Sequence, residues 1–311
     1  MESRELKMSN IHEITNGLCF PEGPVALPDG SILVVEIASG QLTKVSLDGN
    51  KTIVAKLDGG PNGAAIGPDD RCYICNNGGM TFFEKNGSLL PRLSTPDVPH
   101  GWIEAVDIKT GAVEVLYTTC NDKPLIGPND IVFDAAGGFW FTDHGHTRRR
   151  DKDRGGVYYA AIDGSHITEV IAPMDGPNGI GISPNGQKLY VAETPTGRIW
   201  AFDIESPGKL SPTIGPVPWE KGQLIASPSG YHLFDSLAID SDGNICVGSI
   251  PGAIDVFSPE GVQLCSISLP DIFPTNICFG GKDLKTAYIT LSSSGKLVAL
   301  DWPRSGLALN F

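Results

Sequence analysis

Residues 178–193 read NGIGISPNGQKLYVAE. A polar residue opens the stretch, a small apolar run follows, SPNG supplies a tight turn, and KLYVAE forms a second strand. The scheme recurs as EGPVALPDGSILVVE (22–36), NGAAIGPDDRCYICN (62–76), NDIVFDAAGGFWFTD (129–143), DSLAIDSDGNICVGS (235–249) and NICFGGKDLKTAYIT (276–290). Each is a short strand, a turn built from Asp, Asn, Gly and Pro, and a strand rich in aliphatic and aromatic residues. Most copies are followed by a third strand that alternates apolar and polar residues, such as GGVYYAAIDG (155–164) and GRIWAFDI (197–204). Such strands suit the outer part of a small antiparallel sheet.

The six openings fall 40, 67, 49, 57 and 41 residues apart, intervals that suit a four-stranded unit with variable loops. No helical period of useful length interrupts them. The expected fold is therefore all-β: a six-bladed β-propeller with four-stranded antiparallel blades around a central channel, one domain over 1–311. A β-sandwich or a pair of barrels has no need of six equivalent units. An open ring would expose sheet edges, so IHEITNG (11–17) is expected to complete the blade begun by the last repeat.

Composition narrows the partners. A formal net charge of −13 disfavours nucleic acid and anionic membrane surfaces. No stretch of about 18 apolar residues is present to span a membrane. The polar start MESRELKMSNIHEI lacks the apolar centre of a signal peptide, and seven scattered cysteines fit reduced thiols, so the expected location is the cytoplasm. Cys72 and Cys75 form a CxxC, but no second pair completes a zinc site, and both read as strand residues.

In a propeller the first strand of each blade lines the channel, so residues opening equivalent strands converge near the axis. That set is Glu22, Asn62, Asn129, Asn178, Asp235 and Asn276. All carry side-chain oxygen and none is Lys, Arg, His or Cys. Polar groups facing one another in a narrow channel need water or a cation between them. Two carboxylates with several amide oxygens form a hard donor set: Ca²⁺ first, then Mg²⁺ or Mn²⁺, with Zn²⁺ a further possibility. For any single PNG or PND an ordinary turn would suffice. The shared register carries the argument, because each blade already has its turn some five residues later.

FPEGP, GPND, GPNGIGISPNGQKLYVAET, FDSLAIDSDGN and PTNICFGG, in this order, resemble the senescence-marker-protein (regucalcin), gluconolactonase and luciferin-regenerating-enzyme family, with diisopropyl fluorophosphatase related in fold. The resemblance implies one divalent cation, usually Ca²⁺, held by Glu22, Asn178 and Asp235. Asn129 would be a fourth ligand or a substrate contact, with Asn62 and Asn276 nearby. Sugar-lactone members carry an arginine two residues before the asparagine equivalent to Asn129. Gly127 stands here instead, removing a hydrogen-bond fork suited to a polyhydroxylated substrate.

The expected activity is metal-dependent opening of a lactone or similar ester, a small-molecule substrate, with Asp235 and Asn129 at the reacting group. Asp235 could serve as base, nucleophile or ligand. Two long segments could cover the mouth. Residues 78–102 offer Phe82, Phe83 and Trp102 as apolar walls, and 143–156 (DHGHTRRRDKDRGG) read as a self-paired charge run from which His144 could still reach a substrate. The alternatives are a phosphotriesterase-like hydrolase using the same cup, and a non-catalytic propeller that binds calcium or a protein partner.

Overall fold

The structure, a computed structural model, describes residues 11–212, 215–217 and 222–311. Six antiparallel sheets follow one another along the chain, and their innermost strands touch in a closed ring. Those six strands are Pro21–Ala26, Pro61–Ile66, Pro128–Phe133, Pro177–Ile182, Leu233–Ile239 and Pro274–Gly280, which begin blades 1 to 6. Every repeat found in the sequence is thus the inner hairpin of a blade. The first ten residues, including most of the polar N-terminal stretch, lie outside the described residues.

The ring is closed by mixed termini. His12–Thr15 pairs with Lys296–Asp301, so the chain's first described strand is the outermost strand of blade 6, as expected of IHEITNG. Blade 4 differs from the others. Its long third strand, Arg198–Ser206, pairs with both Lys209–Leu210 and Gln223–Ala226. Blade 2 carries an inserted hairpin, Phe82–Lys85 with Ser88–Pro91, between its second and third strands.

The core is divided into six wedges, one between each pair of neighbouring blades. Second strands such as Ile32–Glu36 and Ile245–Ile250 are buried along their whole length because both faces meet a neighbouring blade. That explains their continuous apolar runs. Burying each Ile or Leu side chain there contributes about 1.5–3 kcal/mol, so blade contacts hold the ring together. Cys72 and Cys75 are such residues: both are buried and outside any disulfide, and burial pushes the Cys72 thiol up to about 12.

After Asp301 the chain crosses the channel end remote from the six openings. Arg304 Nε donates to Asp240 Oδ2 at 2.6 Å, Leu307 N to Ile239 O at 3.0 Å, and Asn310 Nδ2 to Phe133 O at 2.8 Å. Among the described residues no helix is long and apolar enough to cross a membrane.

Candidate active site

The six inner strands share one irregularity. Register slips between Glu22 and Val25, Pro61 and Ala64, Pro128 and Ile131, Pro177 and Ile180, Phe234 and Leu237, and Pro274 and Asn276. A bulge re-aims a side chain that regular pleating would send elsewhere. Here it turns the residue after the opening Pro (Phe234 in blade 5) toward the axis. Glu22, Asn62, Asn129, Asn178 and Asp235 consequently line one cavity of about 440 Å³ at the mouth of the channel.

Blade 6 corrects the sequence alignment. Its Pro274 matches Pro21, Pro61, Pro128 and Pro177, so Thr275 occupies the lining position and Asn276 stands one residue further along. Asn276 does not line the cavity. Its Nδ2 donates to Glu22 Oε2 at 2.7 Å, which presents its amide hydrogens, not its oxygen, to the cup. The conserved spacing of turn and strand hid this shift; the proline would have revealed it.

The residues beside the lining set form a second row: Gly23, Gly63, Asp130, Gly179, Ser236 and Asn276. A Cβ on Gly23 would lie 2.6 Å from Asn62 O, and one on Gly179 2.6 Å from Leu237 N. Glycine there lets adjacent inner strands meet backbone to backbone. Asp130 is the exception that sequence reading missed. It is a buried carboxylate whose Oδ1 accepts from Ile131 N at 3.0 Å and Oδ2 from Ile180 N at 3.2 Å.

Three acids therefore share the axis. Burial raises Asp130 to about 8, with the Glu22 charge adding to it. Burial, then the Glu22 charge, raises Asp235 well above the carboxylate range. Burial also raises Glu22, against hydrogen bonds from Asn276 and Gly23. Among the described residues no Lys or Arg pairs with any of them. Asn129 Oδ1 is buried with no hydrogen-bond partner, while Asn178 Nδ2 is committed to Thr194 Oγ1 at 3.1 Å. Uncompensated acid and an orphaned amide oxygen are what a hard divalent cation would satisfy. Among the described residues no three His, Cys, Asp or Glu side chains gather at metal-cage spacing, so such a cation would rest on mixed acid and amide oxygens.

A second ring of polar groups holds the loops that lead into the cup. Each sits at the end of a blade's second strand. Glu36 Oε2 accepts from Cys19 N at 2.7 Å, Asn76 Oδ1 from Gly60 N at 2.9 Å, and Glu193 Oε1 from Asp175 N at 2.8 Å. Asp143 accepts three backbone N–H groups: Ile126 at 2.7 Å, Gly127 at 2.8 Å and Gly145 at 3.0 Å. Each clamp grips backbone two or three residues ahead of a lining residue. The sequence repeats end on these residues, but the pattern alone does not say what they hold.

The mouth is bounded by the blade 2 hairpin and by the segment after Asp143. The charge run is paired within itself only in part: Arg148 meets Asp151 and Asp153, while Lys152 reaches out of the run to Asp175. His144 lines the cavity, and burial lowers its basicity. Its Nδ1 engages the Gly145 carbonyl at 3.1 Å, whereas His146 Nδ1 meets Ser94 Oγ at 3.3 Å, so the two rings are held separately. Trp102 is not brought to the cavity. It lies on the third strand of blade 2 opposite Asn76, against Gly59.

Comparison with known proteins agrees with this architecture. The SMP-30/Gluconolactonase/LRE-like region family matches residues 20–293. Lactonase drp35 of Staphylococcus haemolyticus is 30% identical over 254 residues, 80% of this chain and 69% of that one. A gluconolactonase of Zymomonas mobilis is 26% identical over 306 residues, 91% of this chain and 79% of that one. The solved structure of a calcium-binding regucalcin from Agrobacterium tumefaciens superposes with a TM-score of 0.73 at 18% identity, covering 97% of this chain and 95% of that one. The chain belongs to the SMP-30/gluconolactonase/LRE-like family.

Proposed function

We propose that this protein is a divalent-cation-dependent hydrolase that opens a lactone. The observation that carries the reading is the group of three axial acids without a Lys or Arg partner, buried Glu22 and Asp130 with half-buried Asp235, beside the orphaned Asn129 Oδ1 at a cavity open to small molecules. Each such buried charge costs several kcal/mol unless a partner arrives, which a cation in the cup would supply. The names lactonase and gluconolactonase among the relatives support the same class of reaction.

Glu22, Asn129, Asn178 and Asp235 would hold the cation. Their all-oxygen character suits Ca²⁺ best, ahead of Mg²⁺ and Mn²⁺, and Zn²⁺ least. When bound, it would polarise the lactone carbonyl as a Lewis acid. Asn276 and the Gly23 N–H keep one Glu22 oxygen fixed at 2.7 and 2.6 Å, so the acid enters the cup in one orientation. Asp235 is the base: its carboxylate lines the cavity and takes the proton of a water that adds to the carbonyl carbon. The ring C–O bond then breaks, the departing alkoxide takes a proton, and a hydroxy acid is released. Asn62 and His144, on the cavity wall, would orient the ester.

The test is proton release from lactones by chelator-stripped protein before and after Ca²⁺ is restored. Turnover that returns with the cation and is lost at least 100-fold in Asp235→Asn fits removal of a general base. Undiminished turnover by Asp235→Asn would remove Asp235 from the chemistry. The reducing setting that seven unpaired cysteines suit makes the cytoplasm the proposed location.

A further inference from the structure

The cavity above the cup has two unlike halves. Its polar wall comes from blades 2, 3 and 4, which contribute Asn77, Arg92, Ser94, His144, His146 and Thr194. Its apolar wall comes from blades 5, 6 and 1, which contribute Leu233, Ile250, Phe273, Phe20 and Ile37, and Met80, just ahead of the blade 2 hairpin, lines the same cavity. Blades 5, 6 and 1 are consecutive around the ring, so these side chains form one continuous surface.

That surface is braced. Phe20 packs on Phe82 of the hairpin with ring centroids 4.9 Å apart, and on Phe273 at 6.0 Å. The hairpin is tied down at both sides of the mouth, since Leu89 N donates to Ser293 O at 2.8 Å and Ser94 N to Thr147 O at 2.9 Å. Phe20 itself adopts φ 56°, a left-handed conformation that a bulky aromatic residue avoids. Backbone strain of this kind persists where the surroundings over-determine it and clusters at ligand sites. Here it lays a large ring into the cavity wall two residues before Glu22.

We infer that the substrate is a lactone bearing an apolar arm, alkyl or aryl, which lies against Phe20 and Phe273 while its carbonyl meets the cup. The inference rests on the hydrolase reading and adds the substrate class. Hydroxyls of a polyhydroxylated lactone turned toward Phe20, Phe273, Leu233 and Ile250 would meet no side-chain donor there, which costs binding on that side of the cavity.

The experiment uses the whole chain with Ca²⁺ restored. It measures kcat/KM for γ-lactones carrying hydrogen, ethyl, butyl or hexyl, and for glucono-1,5-lactone, together with calorimetric binding of the matching alkyl lactams, which are not hydrolysed. Expected is a rise in kcat/KM of about fourfold per methylene until the chamber is filled, with lactam affinity rising in parallel. The Phe20→Asn variant keeps a residue that tolerates the left-handed backbone but empties a buried ring site, so it should melt lower than the parent and, measured below that melting temperature, flatten both gradients. Glucono-1,5-lactone matching or exceeding the butyl lactone, with flat gradients, overturns the inference and leaves the hydrolase reading intact. No lactone turnover with lactam affinity still rising sinks hydrolysis and keeps the apolar-arm site. No turnover and flat lactam affinity removes both.

Discussion

Asn276 Nδ2 donates to Glu22 Oε2 across 2.7 Å, joining the last blade to the first inside the channel. One bond thus serves both ring closure and the charge of the cup. Replacing Asn276 by Asp sets a carboxylate where Glu22 had a donor. In chelator the variant should lose about 2–3 kcal/mol, the scale of an unsatisfied buried group, measured by urea unfolding. Ca²⁺ should restore part of that loss. Equal losses with and without the cation would show that the bond is unrelated to the cup's charge.

The three axial acids also set a pH dependence. A group whose folded pKa lies above its unfolded value holds more protons when folded, so stability falls as pH rises between the two. For Asp130 that interval runs from the ordinary aspartate value of 3.8 to about 8. Glu22 and Asp235 shift in the same direction. Chelator-stripped protein should therefore melt at progressively lower temperature from pH 4 to pH 8, and saturating Ca²⁺ should remove most of the decline. A flat chelated profile would mean the acids are compensated by the chain itself.

Asp143 takes three backbone N–H groups from the two loops beside Asn129. An Asn in its place offers one oxygen and turns an NH₂ toward backbone donors. Asp143→Asn should cost about 1–3 kcal/mol and lower kcat more than it raises KM, because the loss is one of alignment. A variant of normal kcat would show that Asn129 is placed without the clamp.

The chain crossing the channel end depends on Arg304, which meets the fully buried Asp240. Arg304→Ala removes the cation from that carboxylate, leaving it the donors of Asp242 and Asn244, and should cost about 3 kcal/mol. Since this segment ties blades 3, 5 and 6, the parent and the variant should both unfold in one calorimetric transition. Two resolved transitions in the parent would divide the chain into separate folding units.

Most of this architecture is legible in the residues. Six hairpins of matching register require a ring, and a polar residue opening each inner strand requires an axial polar cluster. Five of six lining positions follow from that logic. What escaped has physical causes. A bulge moves a side chain by one place without changing the length of the repeat, which put Asn276 where Thr275 stands. Asp130 sits in a row where three other blades carry glycine, and only the assembled channel shows its depth. Trp102 reads as part of a long irregular segment, but pairing with Asn76 makes it the start of a strand. The clamps at Glu36, Asn76, Asp143 and Glu193 act on backbone far away in sequence, where periodicity carries no signal.

The close backbone approach at Gly23 and Gly179 bears on how such a protein can be retooled. With no space for a side-chain carbon at either place, the base of the well resists change by single substitutions. Met80, Leu93 and His144 come from rim segments and already place side chains in the cavity wall. Laboratory evolution toward a new ester should therefore accumulate its successful substitutions in residues 77–101 and 144–154. The openings of the six inner strands would pass through every round unaltered.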